Sequence, residues 1–220
     1  MKGMNRLSII LVFFSAISVF QGCSGASGDQ QASIAGGRSA DAPAAAEPED
    51  KAAAARPEGT RQEAKIDSVY TDISEKNCKT TELNEDEGWS VQRCKGAFGY
   101  DLEVTEGDLR QSVNVIGPKG RSFELNLPSL VSPAFSYLGE KAEWRFRERD
   151  GKKVPFALIV RFNANEDPND SKKVNSYLTV SKISDGEICV TDVVKPMKNA
   201  NEKARELALG SADKPCLKAK

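Results

Sequence analysis

Beginning at Ile66, short runs in which apolar and polar residues alternate, or in which β-branched and aromatic residues cluster, recur to the end of the chain with turn residues between them. A period of two sends successive side chains to opposite faces, so runs of this kind bury one face only as strands of a sheet. Strands are predicted over 89–94 (WSVQRC), 100–104 (YDLEV), 112–116 (SVNVI), 122–127 (SFELNL) and 142–148 (AEWRFRE). Asp150-Gly151 is a hairpin turn leading into 155–162 (PFALIVRF), the most apolar run and the expected centre of the sheet. A second hairpin joins 177–183 to 187–194 around Ser184-Asp185-Gly186. One helix is predicted near the C-terminus. Asn199 and Glu202 have the spacing of a capping box, Ala204, Leu207 and Ala208 form an apolar stripe at helical spacing, and Gly210 is placed to end it. The segment 128–139 reads as a long, partly buried loop with room for one helical turn. The expected architecture is α+β: a mainly antiparallel sheet with a C-terminal helix packed on it.

The residues before this region have a different character. Lys2 and Arg6 precede an uncharged apolar run from Leu7 to Phe20, shorter than the roughly 20 residues a membrane-spanning helix needs but suited to a signal peptide. Phe20-Gln21-Gly22-Cys23 follows and resembles the lipobox of bacterial lipoproteins, in which the cysteine receives the lipid. Phe20 and Gln21 depart from the commonest residues of that pattern, and cleavage after Ala26 is the alternative. Residues 1–22 are therefore read as a lipoprotein-type signal peptide with Cys23 as the lipidation site. Residues 23–65, rich in Ala, Gly, Ser, Pro and Glu, bury too little apolar surface to offset their ordering entropy and are read as a disordered tether. A flexible coil of this length spans roughly 35 Å root-mean-square. Residues 66–220 form the single globular domain.

The chain has five cysteines, and an exported protein avoids a spare thiol. With Cys23 acylated, Cys78, Cys94, Cys189 and Cys216 remain as two sequence-local pairs. Cys78–Cys94 and Cys189–Cys216 are the expected disulfides among the three connectivities that four cysteines allow. A four-thiolate metal site has no C-x-x-C knuckle to build on, and no metal or cofactor is expected.

The chain contains no histidine, which removes Ser-His-Asp and Cys-His catalysis and the usual zinc and copper sites. With 31 basic against 32 acidic residues, it lacks the basic stripe of a nucleic-acid binder, and no nucleic-acid partner is expected. Asn163, Asn165, Asp167 and Asn169 alternate like the first ligands of an EF-hand, but Pro168 and Val174 stand where glycine and the closing glutamate belong, so the segment reads as a polar loop. The acids Glu82, Glu85, Asp86, Glu87 and Glu103 read as solvated faces. Ser211-Ala212-Asp213-Lys214 matches S-x-x-K without the companion motifs of penicillin-recognising enzymes. Trp89, Trp144, Phe135 and Tyr137 read as core rather than as a binding groove.

Val69-Tyr70-Thr71, Cys78-Lys79-Thr80, Gly88-Trp89, Arg93-Cys94-Lys95-Gly96, Gly99-Tyr100 and Glu106-Gly107-Asp108-Leu109-Arg110 recur as a set with Val131-Ser132-Pro133-Ala134-Phe135, 138–145 (LGEKAEWR), Ile188-Cys189-Val190 and Lys214-Pro215-Cys216-Leu217. Together they resemble an uncharacterised family of bacterial exported proteins, over nearly the whole of 66–220 and none of the tether. The resemblance implies one exported module and assigns no chemistry to any position. The functional expectation is a lipid-anchored module facing the periplasm or cell surface, binding an envelope protein or cell-wall component without catalysis. The alternative is a carboxylate-dependent hydrolase of envelope polysaccharide, with Glu106 and Asp108, which flank Gly107 in a predicted turn, as its candidate acids.

Overall fold

In the computed structural model, which describes residues 64–219, the alternating runs assemble into a ten-stranded, mainly antiparallel sheet. The strands are β1 (Lys65–Asp72), β2 (Cys78–Asn84), β3 (Trp89–Lys95), β4 (Asp101–Gly107), β5 (Arg110–Ile116), β6 (Ser122–Glu124), β7 (Phe135–Arg149), β8 (Lys152–Asn165), β9 (Asn175–Ile183) and β10 (Ile188–Val194). Two meanders, β2-β3-β4-β5 and β7-β8-β9-β10, meet at β7. One edge of β7 pairs with β8 along its length. The other edge is shared: Arg110 of β5 sits opposite Ser136 in a single parallel pair, and β1 covers the far half, from Asp72 opposite Lys141 to Lys65 opposite Glu148.

The first meander folds over the face of the second, and their inward residues form the main core. Leu102, Val104, Val113 and Val115 meet Leu138, Trp144, Leu158, Val160 and Phe162. Trp144 is fully buried; its indole N–H donates to Thr71 Oγ1 at 2.9 Å and its ring lies 5.8 Å from that of Tyr100. This layer contact is close enough to dictate Gly96, where a Cβ would stand 2.4 Å from the Tyr100 carbonyl oxygen and 2.9 Å from the Trp144 ring. On the opposite face of β8 and β9, Ile159, Leu178 and Val180 pack against Ala204 and Ala208 of α2 (Ala200–Leu209). β8 is thus buried on both sides, as its apolar composition requires.

The two disulfides are the sequence-local ones. Cys78 and Cys94 are directly opposite on β2 and β3, with Cα atoms 4.3 Å apart. Cys189 and Cys216, 5.6 Å apart, fasten the segment after α2 to β10, where the Leu217 N–H also donates to the Val190 carbonyl at 2.8 Å. Closing loops of this size stabilises a fold by about 3 kcal/mol each. The bridges are consistent with an exported protein. Among the described residues no helix is long and apolar enough to cross a membrane.

Several sequence expectations are corrected. β1 and β2 carry mostly exposed side chains, so they lack a strong periodic signal and were not foreseen. The run 122–127 is strand only to Glu124; Leu127 opens a short helix, α1 (Leu127–Leu130), with Pro128 in its first turn. The expected loop 128–139 ends early, because β7 begins at Phe135. Asn199 precedes α2 in the left-handed conformation, with φ 62°, and its side chain caps nothing, so the capping box does not form. Phe135 and Tyr137 are exposed rather than core. The predicted signal peptide, Cys23 and the tether as far as residue 63 lie outside the described residues; Lys65, assigned to the tether, is the first residue of β1.

Candidate functional site

The inward face of the first meander changes character along its strands. At one end it is apolar: Cys94 on β3, Leu102 and Val104 on β4, Val115 and Val113 on β5. Two residues further along each strand, on the same face, stand Gln92 and Ser90, Glu106, and Gln111. The second meander does not cover these polar positions. They form the floor of an open cleft of about 880 Å³, closed on its other side by residues 73–76 and by Tyr137–Glu140 of β7.

β7 is shaped for this wall. Leu138 pairs with Phe162 and Ala142 with Val160, so Gly139, Glu140 and Lys141 together face the single residue Arg161. A bulge of this kind redirects side chains at a sheet margin. The Glu140 carbonyl accepts the Ile73 N–H at 2.8 Å, tying the bulge to the segment after β1. Space is tight behind it: a Cβ on Gly139 would lie 2.8 Å from Arg161 Cβ. Gly139→Ala is therefore expected to cost about 1–3 kcal/mol through overpacking, read as a lower denaturation midpoint with an unchanged m-value. A neutral result would show that the bulge yields.

Glu106 is held by a short relay. The Leu138 N–H donates to Gln111 Oε1 at 2.9 Å, and Gln111 Nε2 donates to Glu106 Oε2 at 2.7 Å. A backbone N–H only donates, so it sets the orientation of the Gln111 amide and points its NH2 group at the carboxylate. Glu106 Oε1, and the side chains of Thr80, Ser90 and Gln92, make no hydrogen bond among the described residues. Leu83 and Tyr137 line the same cleft while remaining 60% and 52% exposed. Its charged residues are Glu75, Glu106 and Glu140 against Lys76.

The structure separates the two acids singled out in the sequence. Glu106 lines the cleft; Asp108 sits in the β4–β5 turn at φ 49°, pairs with Arg110 and is not among the lining residues. The next residue, Leu109, is also left-handed, with φ 57°, an uncommon conformation for a bulky side chain. Arg110 in turn stacks over the exposed Phe135 ring, 5.3 Å from its centre, beside a second hollow of about 450 Å³ that Glu166 also lines. Burial raises the Glu166 pKa, but hydrogen bonds from Asn175, Ser132 and Tyr177 outweigh it and hold the carboxyl below its usual range.

The remaining motifs are structural. Asn163 and Asn165 belong to β8, and Asp167 accepts from the Asn169 N–H and from Lys173 within the β8–β9 loop. Ser211 is buried and donates to the Ala208 carbonyl at 2.8 Å, while Lys214 donates to Asp192 at 2.8 Å, so the S-x-x-K pair is committed elsewhere. Glu187, Cys189 and Cys216 converge within 4.8 Å, but both sulfurs are spent in the disulfide. Glu85, Asp86 and Glu87 are exposed.

Sequence reasoning reached Glu106, assigned Tyr137 to the core rather than to a groove, and missed Thr80, Ser90, Gln92 and Gln111. The readable signal was the break in each strand's inward pattern, where an apolar series ends in Gln, Ser or Glu. Which of those breaks share one cleft depends on the register of β3, β4 and β5. No protein family, curated protein or solved structure matched the chain.

Proposed function

We propose that this chain is a lipid-anchored binding module of the cell envelope, attached through Cys23, with the cleft around Glu106 as its binding site and no reaction of its own. The observation that carries the reading is the cleft: a large concavity floored by polar side chains with open hydrogen-bonding positions and flanked by the exposed Leu83 and Tyr137. Sites for ligands gather in such places, including the mouths of strand-built domains. The direction of β1 adds to it. Lys65 lies at the Glu148 end of β7 and Asp72 at the Lys141 end, from which residues 73–76 run into the cleft. The cleft therefore opens at the end of the domain away from Lys65, by the length of an eight-residue strand, roughly 26 Å. The two disulfides support an envelope location.

Binding is favoured over a hydrolase built on Glu106 and Asp108 by the separation of those two acids. The neighbour of Glu106 is the amide of Gln111, and Asp108 is engaged with Arg110 outside the cleft. Mass spectrometry of protein extracted from membranes, with and without reduction, tests the anchor. The expected species begins at Cys23, carries acyl chains on it, and gains the mass of four hydrogens on reduction of the two bridges. An unacylated chain beginning after Ala26 would overturn the lipid anchor.

A further inference from the structure

Resting on that reading, we infer that the cleft takes an uncharged polyhydroxylated ligand, a glycan chain, with Glu106 as the fixed acceptor for its hydroxyl groups. Three observations converge on this class. The first is the relay from the Leu138 N–H through Gln111, which fixes Glu106 and occupies only one of its oxygens. Orienting an acceptor before the ligand arrives removes part of the ordering cost of binding. The second is the mixture of open groups. The Thr80 and Ser90 hydroxyls and the Gln92 amide each donate and accept, which matches hydroxyl and amide groups that do both. A cationic ligand uses acceptors alone, and an anionic one is opposed by three carboxylates against one lysine. The third is Tyr137, a half-exposed ring in the same cleft that offers a flat apolar surface to the C–H face of a sugar. The volume, about 880 Å³, lies toward the upper end of the ~300–1,000 Å³ typical of small-ligand sites.

The test is calorimetric titration of the full mature chain in detergent with the soluble tetramer of N-acetylglucosamine, and separately with tetralysine. Saturable binding of the tetrasaccharide is expected, weakened by about tenfold or more in Glu106→Gln, which keeps the size of the side chain but replaces its charged acceptor. Gln111→Leu is expected to weaken it similarly by releasing Glu106. The melting temperature of each variant shows whether the fold is intact, and Gln92→Ala gives a second site variant should either fail to fold. Lack of saturable tetrasaccharide binding up to about 10 mM, a free energy of only some −3 kcal/mol, would overturn the ligand class and leave the binding module standing. Tetralysine binding in its place would overturn the ligand class in favour of a cation site. Equal affinity in a folded Glu106→Gln chain would overturn the role of Glu106. Cleavage of the tetrasaccharide would overturn the non-catalytic module itself.

Discussion

Trp144→Ala is expected to lower stability by about 3–5 kcal/mol, a large part of the roughly 5–15 kcal/mol that holds a domain folded. Trp144 is fully buried between the two meanders, so its removal deletes the largest side chain of the main core and leaves a cavity. The surroundings have little freedom to collapse into that space. Thr71 loses the indole N–H at 2.9 Å, and the segment 96–100, held over the ring by Gly96 and Tyr100, loses the surface it rests on. Trp144→Phe keeps an aromatic ring and should lose less. Equilibrium denaturation followed by circular dichroism measures both, and a loss below about 1 kcal/mol for the alanine variant would show that the meanders do not depend on this contact.

Arg205→Ala is expected to cost about 3 kcal/mol at neutral pH, with a deficit that shrinks on acidification. Glu143 projects from β7 toward α2 with its side chain only 9% exposed. Its Oε1 accepts Ser68 Oγ at 2.7 Å and Arg205 Nε at 2.8 Å, and Arg205 Nη2 also donates to the Tyr70 hydroxyl at 2.7 Å. One guanidinium thus joins α2 to β7 and to β1. Burial raises the Glu143 pKa, but the Arg205 and Ser68 hydrogen bonds and the Arg205 charge outweigh it and hold the carboxyl below its usual value. A carboxyl with a depressed folded pKa contributes stability above its unfolded pKa, about 4.3, and that stability is lost as pH falls through the folded value. Without Arg205 the carboxyl keeps Ser68 and the more distant Arg145, 3.8 Å away, so its folded pKa rises and the penalty is relieved by protonation. The difference between wild type and variant should therefore be largest near pH 7 and smallest below about pH 4. A deficit independent of pH would mean that Arg205 acts through packing of its stem rather than through the charge pair. The partial exposure of Arg205 places the expected cost at the lower end of the range for buried pairs.

Both variants probe contacts between residues far apart in the chain, and that distance marks where sequence reasoning stops. Trp144 was readable as an inward residue from the alternation of 142–148, but its contacts with Gly96 and Tyr100 require one meander to fold over the other. Glu143 was readable only as the polar face of the same strand. It is buried because α2 lands on that face, and α2 lands there because β8 and β9 expose a second apolar surface at Ile159, Leu178 and Val180. Phe135 and Tyr137 show the converse error: aromatic residues assigned to the core lie exposed because the first residues of β7 stand at the margin of the sheet.

The hub of the sheet is β7 rather than the expected β8, whereas the sequence by itself determined the fold class, the burial of β8 on both faces, the C-terminal helix and the two local cysteine pairs. Each of these follows from near neighbours: period-two burial, a continuous apolar run, a helical stripe between turn residues, and short loops to close. The tertiary structure decided the cleft. Thr80, Ser90, Gln92, Glu106 and Gln111 lie on four strands, and only the register of the meander and the bulge in β7 bring them to one concavity. Strand pairing is selected by the burial of whole faces, a sum over many residues, so no single segment of sequence states which polar side chains will be left uncovered together.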